Sequence, residues 1–133
     1  MKIGALGIIS FRPFPLEEVR ASLQHARRVV VLERALAVGV GGIVSANVRT
    51  ALAGLDLHGY TVIAGLGGRA ITKSSLRGLF RQAAADGLAP LTFLDLKTDL
   101  IDRELRRVAA TRRSGPAAEN ILRDLGAVAH KIG

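Results

Sequence analysis

Three segments of the chain carry groups that could bind an anion or a carboxylate, and each follows an apolar run. They are Phe11-Arg12-Pro13-Phe14-Pro15, Leu32-Glu33-Arg34 and Gly65-Leu66-Gly67-Gly68-Arg69. In open α/β sheets, ligands bind at the carboxyl ends of the strands. A guanidinium pairs well with a carboxylate or a phosphate, and the backbone N–H groups of a turn that opens a helix attract anions. The three segments therefore predict a polar binding surface at the carboxyl edge of a parallel sheet.

The segment around Arg12 combines a stiff turn with one unexplained charge. Pro13 and Pro15 restrict the backbone, and Pro15 suits the first turn of a helix, because its missing N–H costs nothing there. In a connection of this kind Phe14 serves as a hydrophobic staple, which is a structural role. Arg12 has no such role in folding, so we predict that it contacts a carboxylate or a phosphate on another domain.

The acid that ends the second apolar run has two interpretations. In the dinucleotide fold an acid at this place binds a ribose hydroxyl. The glycine turn that should precede it is missing, however, because Gly4 and Gly7 lie inside the first apolar run. We therefore expect Glu33 to pair with a nearby arginine or with a partner domain, and Arg34 to contact a partner as well.

The glycine-rich segment has the form of a phosphate cradle at the start of a helix. Its Gly67, Gly68 and Arg69 would offer backbone N–H groups and a guanidinium to an anion. The Lys-Ser/Thr tail of a P-loop is absent, so the motif is weakly specific. A carboxylate from another domain would satisfy Arg69 equally well.

Apolar patterns predict strands and helices that alternate along the chain. The predicted strands are Ile3–Phe11, Arg28–Glu33, Tyr60–Ala64 and Leu91–Leu96. The predicted helix stripes are Leu16-Val19-Leu23-Ala26, Val44-Val48-Ala51-Leu52, Leu76-Leu79-Phe80-Ala83-Ala84, Ile101-Leu105-Val108 and Ala118-Ile121-Leu122-Leu125-Val128-Ala129. Asp99 is expected to cap the fourth helix, and a hinge is expected near Thr111–Pro116. The alternation predicts an α/β fold with a mostly parallel sheet covered on both faces, in one domain over residues 1–133.

The chain is strongly basic, with a net charge of +8, and fifteen of its nineteen basic residues are arginine. A charge of this size indicates nucleic acid, an anionic ligand or an acidic partner, although an arginine-rich coding bias would produce much of it. The five aromatic residues, four Phe and one Tyr, are too few for a platform that stacks single strands. The densest basic run comprises Arg103, Arg106, Arg107, Arg112 and Arg113.

The sequence lacks the residues that several kinds of functional site require. The absence of cysteine excludes disulfides, thiolate metal sites and iron–sulfur ligation by this chain, and it fits a cytoplasmic location. His25, His58 and His130 have no metal-ligand spacing, and no serine lies in a nucleophile-elbow motif. No apolar run approaches the roughly 20 residues of a membrane helix.

Together the motifs resemble the second core domain of 2-oxoacid:ferredoxin oxidoreductases, which follows the domain that binds thiamine diphosphate. The resemblance covers nearly the whole chain. It is carried by the Phe11–Pro15 motif, by Val29-Val30-Val31-Leu32-Glu33-Arg34, by Gly65-Leu66-Gly67-Gly68-Arg69-Ala70-Ile71-Thr72, and by the segment Ser114–Gly126, which is similar to the family's C-terminal helix. The first part is also similar to the C-terminal domain of transketolase-like enzymes, a more distant relation.

The resemblance implies a transketolase C-terminal-like fold: three α/β/α layers around a mostly parallel sheet of about five strands, one of them reversed. It implies a reaction in which pyruvate or a related 2-oxoacid, coenzyme A and oxidised ferredoxin give acyl-coenzyme A, carbon dioxide and reduced ferredoxin. In that family thiamine diphosphate supports the carbanion chemistry, and iron–sulfur clusters carry the electrons.

The chain departs from a complete enzyme of this family, because it lacks both cysteine and the Gly-Asp-Gly motif that places diphosphate and magnesium. We therefore expect that it binds no cofactor and that thiamine diphosphate, magnesium and the clusters lie on partner domains or subunits. The isolated polypeptide is expected to be inert, as a small subunit or as the C-terminal portion of a longer α chain.

Its expected role is to brace the other domains or subunits, and to meet ferredoxin and coenzyme A only through the complex. The expected interface residues are Arg12, Phe14, Glu33, Arg34, Gly67, Gly68 and Arg69. The alternative function is a basic α/β module that binds nucleic acid or a nucleotide. A third interpretation, an autonomous small-molecule enzyme, ranks last because no nucleophile, base or metal cluster is recognisable.

Overall fold

The computed structural model describes residues 2–111 of the chain, without the side chain of Thr111. The chain forms two compact units, the first ending at Asp95 and the second beginning at Leu96. The single domain expected over residues 1–133 stays a prediction, since two compact units can belong to one domain. The expected stripe from Ala118 to Ala129 lies outside the described residues, as does most of the expected hinge.

Strands and helices alternate through the first unit, as the apolar pattern predicts. Its elements are α1 (Leu16–Leu23), β1 (Arg28–Glu33), α2 (Ile43–Ala51), β2 (His58–Ile63), a short 3-10 turn (Leu66–Gly68), α3 (Lys73–Ala84) and β3 (Leu91–Phe93). The second unit contains α4 (Thr98–Thr111). The α/β class is therefore confirmed.

The three strands form one parallel sheet in the order β1-β2-β3. The register pairs Arg28 with His58 and continues to Glu33 with Ile63, and Thr61 pairs with Leu91. The central strand is the most buried, because its residues from Tyr60 onward are all buried. In-register parallel pairing places the carboxyl ends of the strands along one edge of the sheet.

Helices cover both faces of this sheet and give the first unit three layers. On one face, Val19 of α1 and Val29 of β1 are buried with residues of α2. On the other face, Val30 packs against a cluster that includes Tyr60 and Leu79 of α3. Val29 and Val30 meet opposite layers because successive side chains of a strand point to opposite faces. The α/β/α layering expected from the family resemblance is thus present in this unit.

The predicted strand Ile3–Phe11 was wrong, because residues 2–11 form neither a strand nor a helix. Ile9 is fully exposed and Ile3 is 56% exposed, whereas Ile8 packs against the cluster around α1 and α2. The apolar composition of this segment favours a strand, but a strand also needs a neighbour for its backbone groups. The described residues therefore contain three parallel strands, and neither the expected reversed strand nor the expected total of about five is seen in them.

Several element boundaries also differ from the prediction; β2, for example, spans His58–Ile63 and not Tyr60–Ala64. The helix α4 begins at Thr98, so Asp99 lies in its first turn and is not its cap. The strand β3 ends at Phe93, because the chain turns at Asp95, which has a φ of 56°. Among the helix stripes, Leu16 is 40% exposed although Val19 is buried as expected.

Candidate functional site at the carboxyl edge of the sheet

Glu33, the last residue of β1, holds the start of α2. The residue is buried, at 8% exposure, and its carboxylate accepts hydrogen bonds from the backbone N–H of Val44 at 2.8 Å and of Ser45 at 2.9 Å. The Ser45 hydroxyl donates a third at 2.5 Å. A carboxylate at a helix N-terminus satisfies N–H groups that have no partner inside the helix. The structure therefore gives Glu33 a helix start as its partner, where the sequence led us to expect an arginine or another domain.

Gly42 makes this close approach of α2 to Glu33 sterically feasible. A Cβ atom at Gly42 would lie 2.0 Å from Oε1 of Glu33 and 2.9 Å from the Ser45 hydroxyl. No side chain tolerates such a distance to a fixed, buried carboxylate. A glycine is therefore required at position 42 for the Glu33 carboxylate to reach the start of α2.

Arg34 lies beside Gly65 at the ends of the two neighbouring strands. Gly65 has a φ of 72°, and a Cβ atom there would lie 3.0 Å from Nε of Arg34. Arg34 is exposed, and within residues 2–111 its side chain has neither a hydrogen bond nor an ion pair. The guanidinium is therefore available to a carboxylate or another anion that approaches this edge.

The glycine-rich segment forms a tight turn that is separate from the helix behind it. Gly67 and Gly68 have φ values of 64° and 75°, which favour glycine. Helix α3 begins only at Lys73 and is capped by the Thr72 side chain, which accepts a hydrogen bond from the backbone of Ser75 at 3.1 Å. The expected cradle at the start of a helix is therefore not formed, because residues 69–72 separate the glycines from α3.

Arg69 connects the glycine turn to the end of the third strand. Its Nη1 donates a hydrogen bond to the backbone carbonyl of Asp95, and the side chain remains exposed. Together with Arg34, it places two exposed guanidinium groups on segments that follow the carboxyl ends of β1 and β2. The structure thus brings these two predicted site residues to one edge.

Arg12 and Phe14 both contact the Phe11 ring, in the segment that precedes α1. The Arg12 guanidinium lies 4.0 Å from the centre of the Phe11 ring and donates to the Phe11 carbonyl at 2.8 Å. The Phe11 and Phe14 rings meet edge to face with 6.5 Å between their centres. Phe14 also packs against the core of α1 and α2, so its structural role is present. No hydrogen bond or ring contact in the described residues joins Arg12 to the other predicted site residues.

A cluster at the opposite, amino edge of the sheet is one that the sequence did not reveal. The Asp86 carboxylate accepts hydrogen bonds from Nε of Arg28 at 2.7 Å and from the Tyr60 hydroxyl at 3.0 Å. Nδ1 of His58 lies 3.3 Å from the same carboxylate. The hydrogen bonds from Arg28, followed by the one from Tyr60, lower the pKa of Asp86 to about 2. Burial, followed by the hydrogen bond to Asp86, raises the pKa of Tyr60.

This cluster ties the amino ends of the strands to the turn after α3. A groove lined by Arg27, Arg28, Asp56 and His58 opens beside it. The only local sequence signal was Asp86-Gly87, a pair typical of turns. Nothing in the sequence connects that turn to Arg28, which lies 58 positions earlier.

The second unit carries part of the basic run. Arg107 of α4 donates to the Glu104 carboxylate at 3.0 Å, and Nε of Arg103 lies 3.5 Å from it. Nε of Arg106 donates to the backbone carbonyl of Asp102 at 3.1 Å. The described part of the run is therefore engaged within its own helix, while Arg112 and Arg113 lie outside the described residues.

Residues 2–111 contain neither a cluster of metal-ligating side chains nor a helix that could span a membrane. No three or more histidine, cysteine, aspartate or glutamate residues are grouped so that they could hold a metal ion. None of the helices in this part of the chain is both long and apolar enough to cross a membrane.

The chain is similar in sequence to several proteins named pyruvate synthase subunit PorA. It is similar to pyruvate synthase subunit PorA of Methanothermobacter thermautotrophicus, with 32% identity over 60% of this chain and 20% of the relative. For the PorA subunit of Methanosarcina barkeri the identity is 31% over 75% of this chain and 27% of the relative. For that of Thermotoga maritima it is 38% over 62% and 21%.

The chain thus spans about a fifth to a quarter of the length of these relatives. No solved structure matches it significantly. Residues 1–76, more than half of the chain, match the family described as pyruvate:ferredoxin oxidoreductase core domain II, and the chain belongs to that family.

Proposed function

We propose that the chain is a non-catalytic assembly domain, or small subunit, of a thiamine-diphosphate-dependent 2-oxoacid:ferredoxin oxidoreductase. The observation that carries this proposal is the match of residues 1–76 to core domain II. The similarity to PorA subunits over only a fifth to a quarter of their length supports a part that works with other parts. These relatives favour this function over a basic nucleic-acid-binding module.

In this proposal the complex oxidises pyruvate or a related 2-oxoacid to acyl-coenzyme A, in the cytoplasm. Ferredoxin and coenzyme A would be met by the complex and not by this chain alone. The donor set of the chain does not fit an iron–sulfur cluster, because clusters are held by cysteine thiolates and the sequence has none. The sequence also lacks the Gly-Asp-Gly motif that places diphosphate and magnesium, so we assign thiamine diphosphate, magnesium and the clusters to partner domains or subunits.

The carboxyl edge of the sheet is the surface that we assign to assembly. Arg34 and Arg69 offer exposed guanidinium groups there, and Gly67 and Gly68 let the backbone of the turn approach a partner closely. Glu33 contributes indirectly, by fixing the start of α2 at the same edge. Arg12 and Phe14 complete the proposed interface residues. A guanidinium that pairs with a partner carboxylate gives geometric specificity as well as affinity.

Co-purification with the companion subunits tests the proposal. The tagged chain would be co-expressed with the other oxidoreductase subunits of its own genome, and the complex measured by size-exclusion chromatography and by ferredoxin reduction with pyruvate. We expect a stable complex that is active, and a free chain that is inactive. A free chain that reduces ferredoxin unaided, or one that binds none of these subunits, would contradict the proposal.

A matched pair of variants locates the assembly surface. The double variant Arg12→Ala and Arg69→Ala is expected to weaken assembly before it alters the turnover of whatever complex remains. Arg81→Ala is the control, because Arg81 is exposed on the last turn of α3, away from the proposed edge. Normal assembly of the double variant would exclude Arg12 and Arg69 from the interface.

A further inference from the structure

The outer edge of β1 is open, although the strand has the composition of an interior one. Val29 to Leu32 form an uninterrupted apolar run, which is typical of parallel strands that are covered on both faces. Within the described residues the sheet order is β1-β2-β3, so β1 has a neighbour on one side only. An apolar edge strand is a site at which another extended chain can add, because its backbone groups are unpaired.

The backbone groups at this open edge can be identified from the bonds on the other side of β1. The carbonyl oxygens of Arg27 and Glu33 accept hydrogen bonds from the β2 side at 3.0 and 2.9 Å. Because backbone groups alternate along a strand, the N–H and C=O groups of Val30 and Leu32 point to the outer edge. No backbone hydrogen bond from elsewhere in residues 2–111 reaches them.

A second apolar stretch without a strand partner lies close to the same region. Ile3, Leu6 and Ile9 are exposed by 56%, 46% and 100%. Ile8, in contrast, packs against the cluster that contains Val29 of β1. The chain thus presents an unpaired strand edge and an uncovered apolar segment that is anchored beside the same core cluster.

We propose that the outer edge of β1 receives a β-strand from a companion polypeptide of the oxidoreductase. The incoming strand would hydrogen-bond to Val30 and Leu32 and cover the apolar residues of segment 3–11. Strand addition of this kind takes its affinity from main-chain hydrogen bonds and its specificity from alternate side chains. The inference rests on the proposed function, because it names the contact by which the chain would join its partners.

Two observations favour a companion polypeptide over a second copy of this chain. The chain spans only a fifth to a quarter of its PorA relatives, so most of the polypeptide of such a protein lies outside it. Its net charge of +8 also opposes the approach of two copies. The same charge favours a strand that belongs to an acidic companion.

Leu32→Pro and Leu91→Pro make a matched pair of variants for the test. Both residues are about equally exposed, at 42% and 41%. The Pro90 carbonyl and the Leu94 N–H bond to β2, so Leu91 points to the outer edge of β3 as Leu32 does to that of β1. Proline at either position removes an outward N–H and no bond between strands. We expect Leu32→Pro to lose the companion subunits and Leu91→Pro to retain them.

Hydrogen exchange of single amides tests the wild-type protein, so the answer stands even if Leu32→Pro fails to fold. We expect the amides of Val30 and Leu32 to exchange roughly tenfold more slowly, or slower still, in the co-expressed complex than in the free chain. The amides of Leu91 and Phe93 should be unchanged. An intact complex in which Val30 and Leu32 exchange freely would overturn the inference and leave the proposed function standing.

If no complex forms, the proposed function is overturned. A strand tethered to the chain then tests separately whether the outer edge of β1 accepts a strand. The probe is a strand of about six residues, alternating valine with threonine or glutamate and fused to the amino terminus by a glycine–serine linker. Protection of Val30 and Leu32, abolished by Leu32→Pro, supports an edge that accepts a strand. No protection in this fusion overturns the inference.

The inference would also be overturned if the outer edge of β1 were occupied by a second copy of the chain or by its own amino-terminal segment. A dimer of the free chain in sedimentation experiments, lost in Leu32→Pro, would assign the edge to a second copy. Protection of Val30 and Leu32 in the free monomer, lost when residues 2–9 are deleted, would assign it to the chain's own amino-terminal segment.

Discussion

The Arg28 guanidinium donates two hydrogen bonds to the Asp86 carboxylate, and so ties the first residue of β1 to the turn between α3 and β3. Asp86 has a φ of 54°, a conformation that aspartate and asparagine tolerate better than most residues. Its carboxylate also accepts the Tyr60 hydroxyl at 3.0 Å. One side chain therefore links β1, β2 and the loop that leads to β3, at the edge of the sheet opposite the proposed interface.

Asp86→Asn is expected to lower the stability of the chain in a pH-dependent way. Asparagine keeps the turn conformation but loses the charge that Arg28 binds. The pKa of Asp86 is lowered from 3.8 to about 2 in the folded protein, so the folded state favours the ionised carboxyl. Its contribution is therefore complete above about pH 4 and is lost as the pH falls through about 2. Urea unfolding of both proteins should show a difference at pH 7 that shrinks between pH 4 and pH 2.

The control for this experiment is Asp56→Asn, which removes an exposed carboxylate from the same edge of the sheet. We expect its midpoint in urea to stay close to that of the wild type at pH 7. A constant difference between Asp86→Asn and wild type across the whole range would show that the charge of Asp86 does not stabilise the fold.

Glu33→Ala is expected to destabilise the chain by about 2–3 kcal/mol, because it leaves buried N–H groups at the start of α2 without an acceptor. Those groups belong to Val44 and Ser45. Glu33→Gln keeps an oxygen acceptor and should lose less. Chemical denaturation followed by circular dichroism measures both. Glu18→Ala, at an exposed position in the first turn of α1, is the matched control, and an equal loss there would refute the assignment.

Two glycines should respond in opposite directions to alanine. Gly78 lies inside α3, and nothing is within 4 Å of a Cβ atom there, so Gly78→Ala should stabilise the chain by about 0.5–1 kcal/mol. A Cβ atom at Gly42 would collide with Glu33, so Gly42→Ala should lower the melting temperature. Thermal unfolding of the two variants side by side measures both effects. A stabilised Gly42→Ala would show that the carboxylate of Glu33 moves freely.

The elements that were predictable are those whose residues carry their own signal. Val29 to Leu32 form a continuous apolar run, and this run was found as β1. The apolar residues from Leu76 to Ala83 repeat at helical spacing, and they were found as α3. In both cases a local pattern decides the element, and in α3 the spacing also decides which face is buried. The segment Ile3–Phe11 has the composition of a strand, but a strand also needs a neighbour that pairs with its backbone groups. The composition does not show whether such a neighbour is present.

The contacts at the site were harder to predict because they join distant positions. The sequence shows an acid at the end of β1, but nothing local shows that Val44 and Ser45, 11 and 12 positions later, fold back onto Glu33. The glycine at position 42 is the one trace of that approach. The Asp86 cluster depends on a pairing across 58 positions, which only the register of the sheet reveals.

Arg20 joins α1 to α2, and its replacement should lower the free energy of unfolding. Its Nη1 donates to the backbone carbonyls of Ala51 at 2.8 Å and Ala53 at 2.9 Å, at the C-terminal end of α2. Carbonyl groups at a helix end have no partner inside the helix, and a cation there satisfies them. Arg20→Ala should therefore cost about 1–2 kcal/mol, while Arg20→Lys should recover part of it. Denaturant unfolding measures the change, with the exposed Arg81→Ala as the control; an equal effect of the two alanine variants would mean that the bonds to α2 contribute nothing.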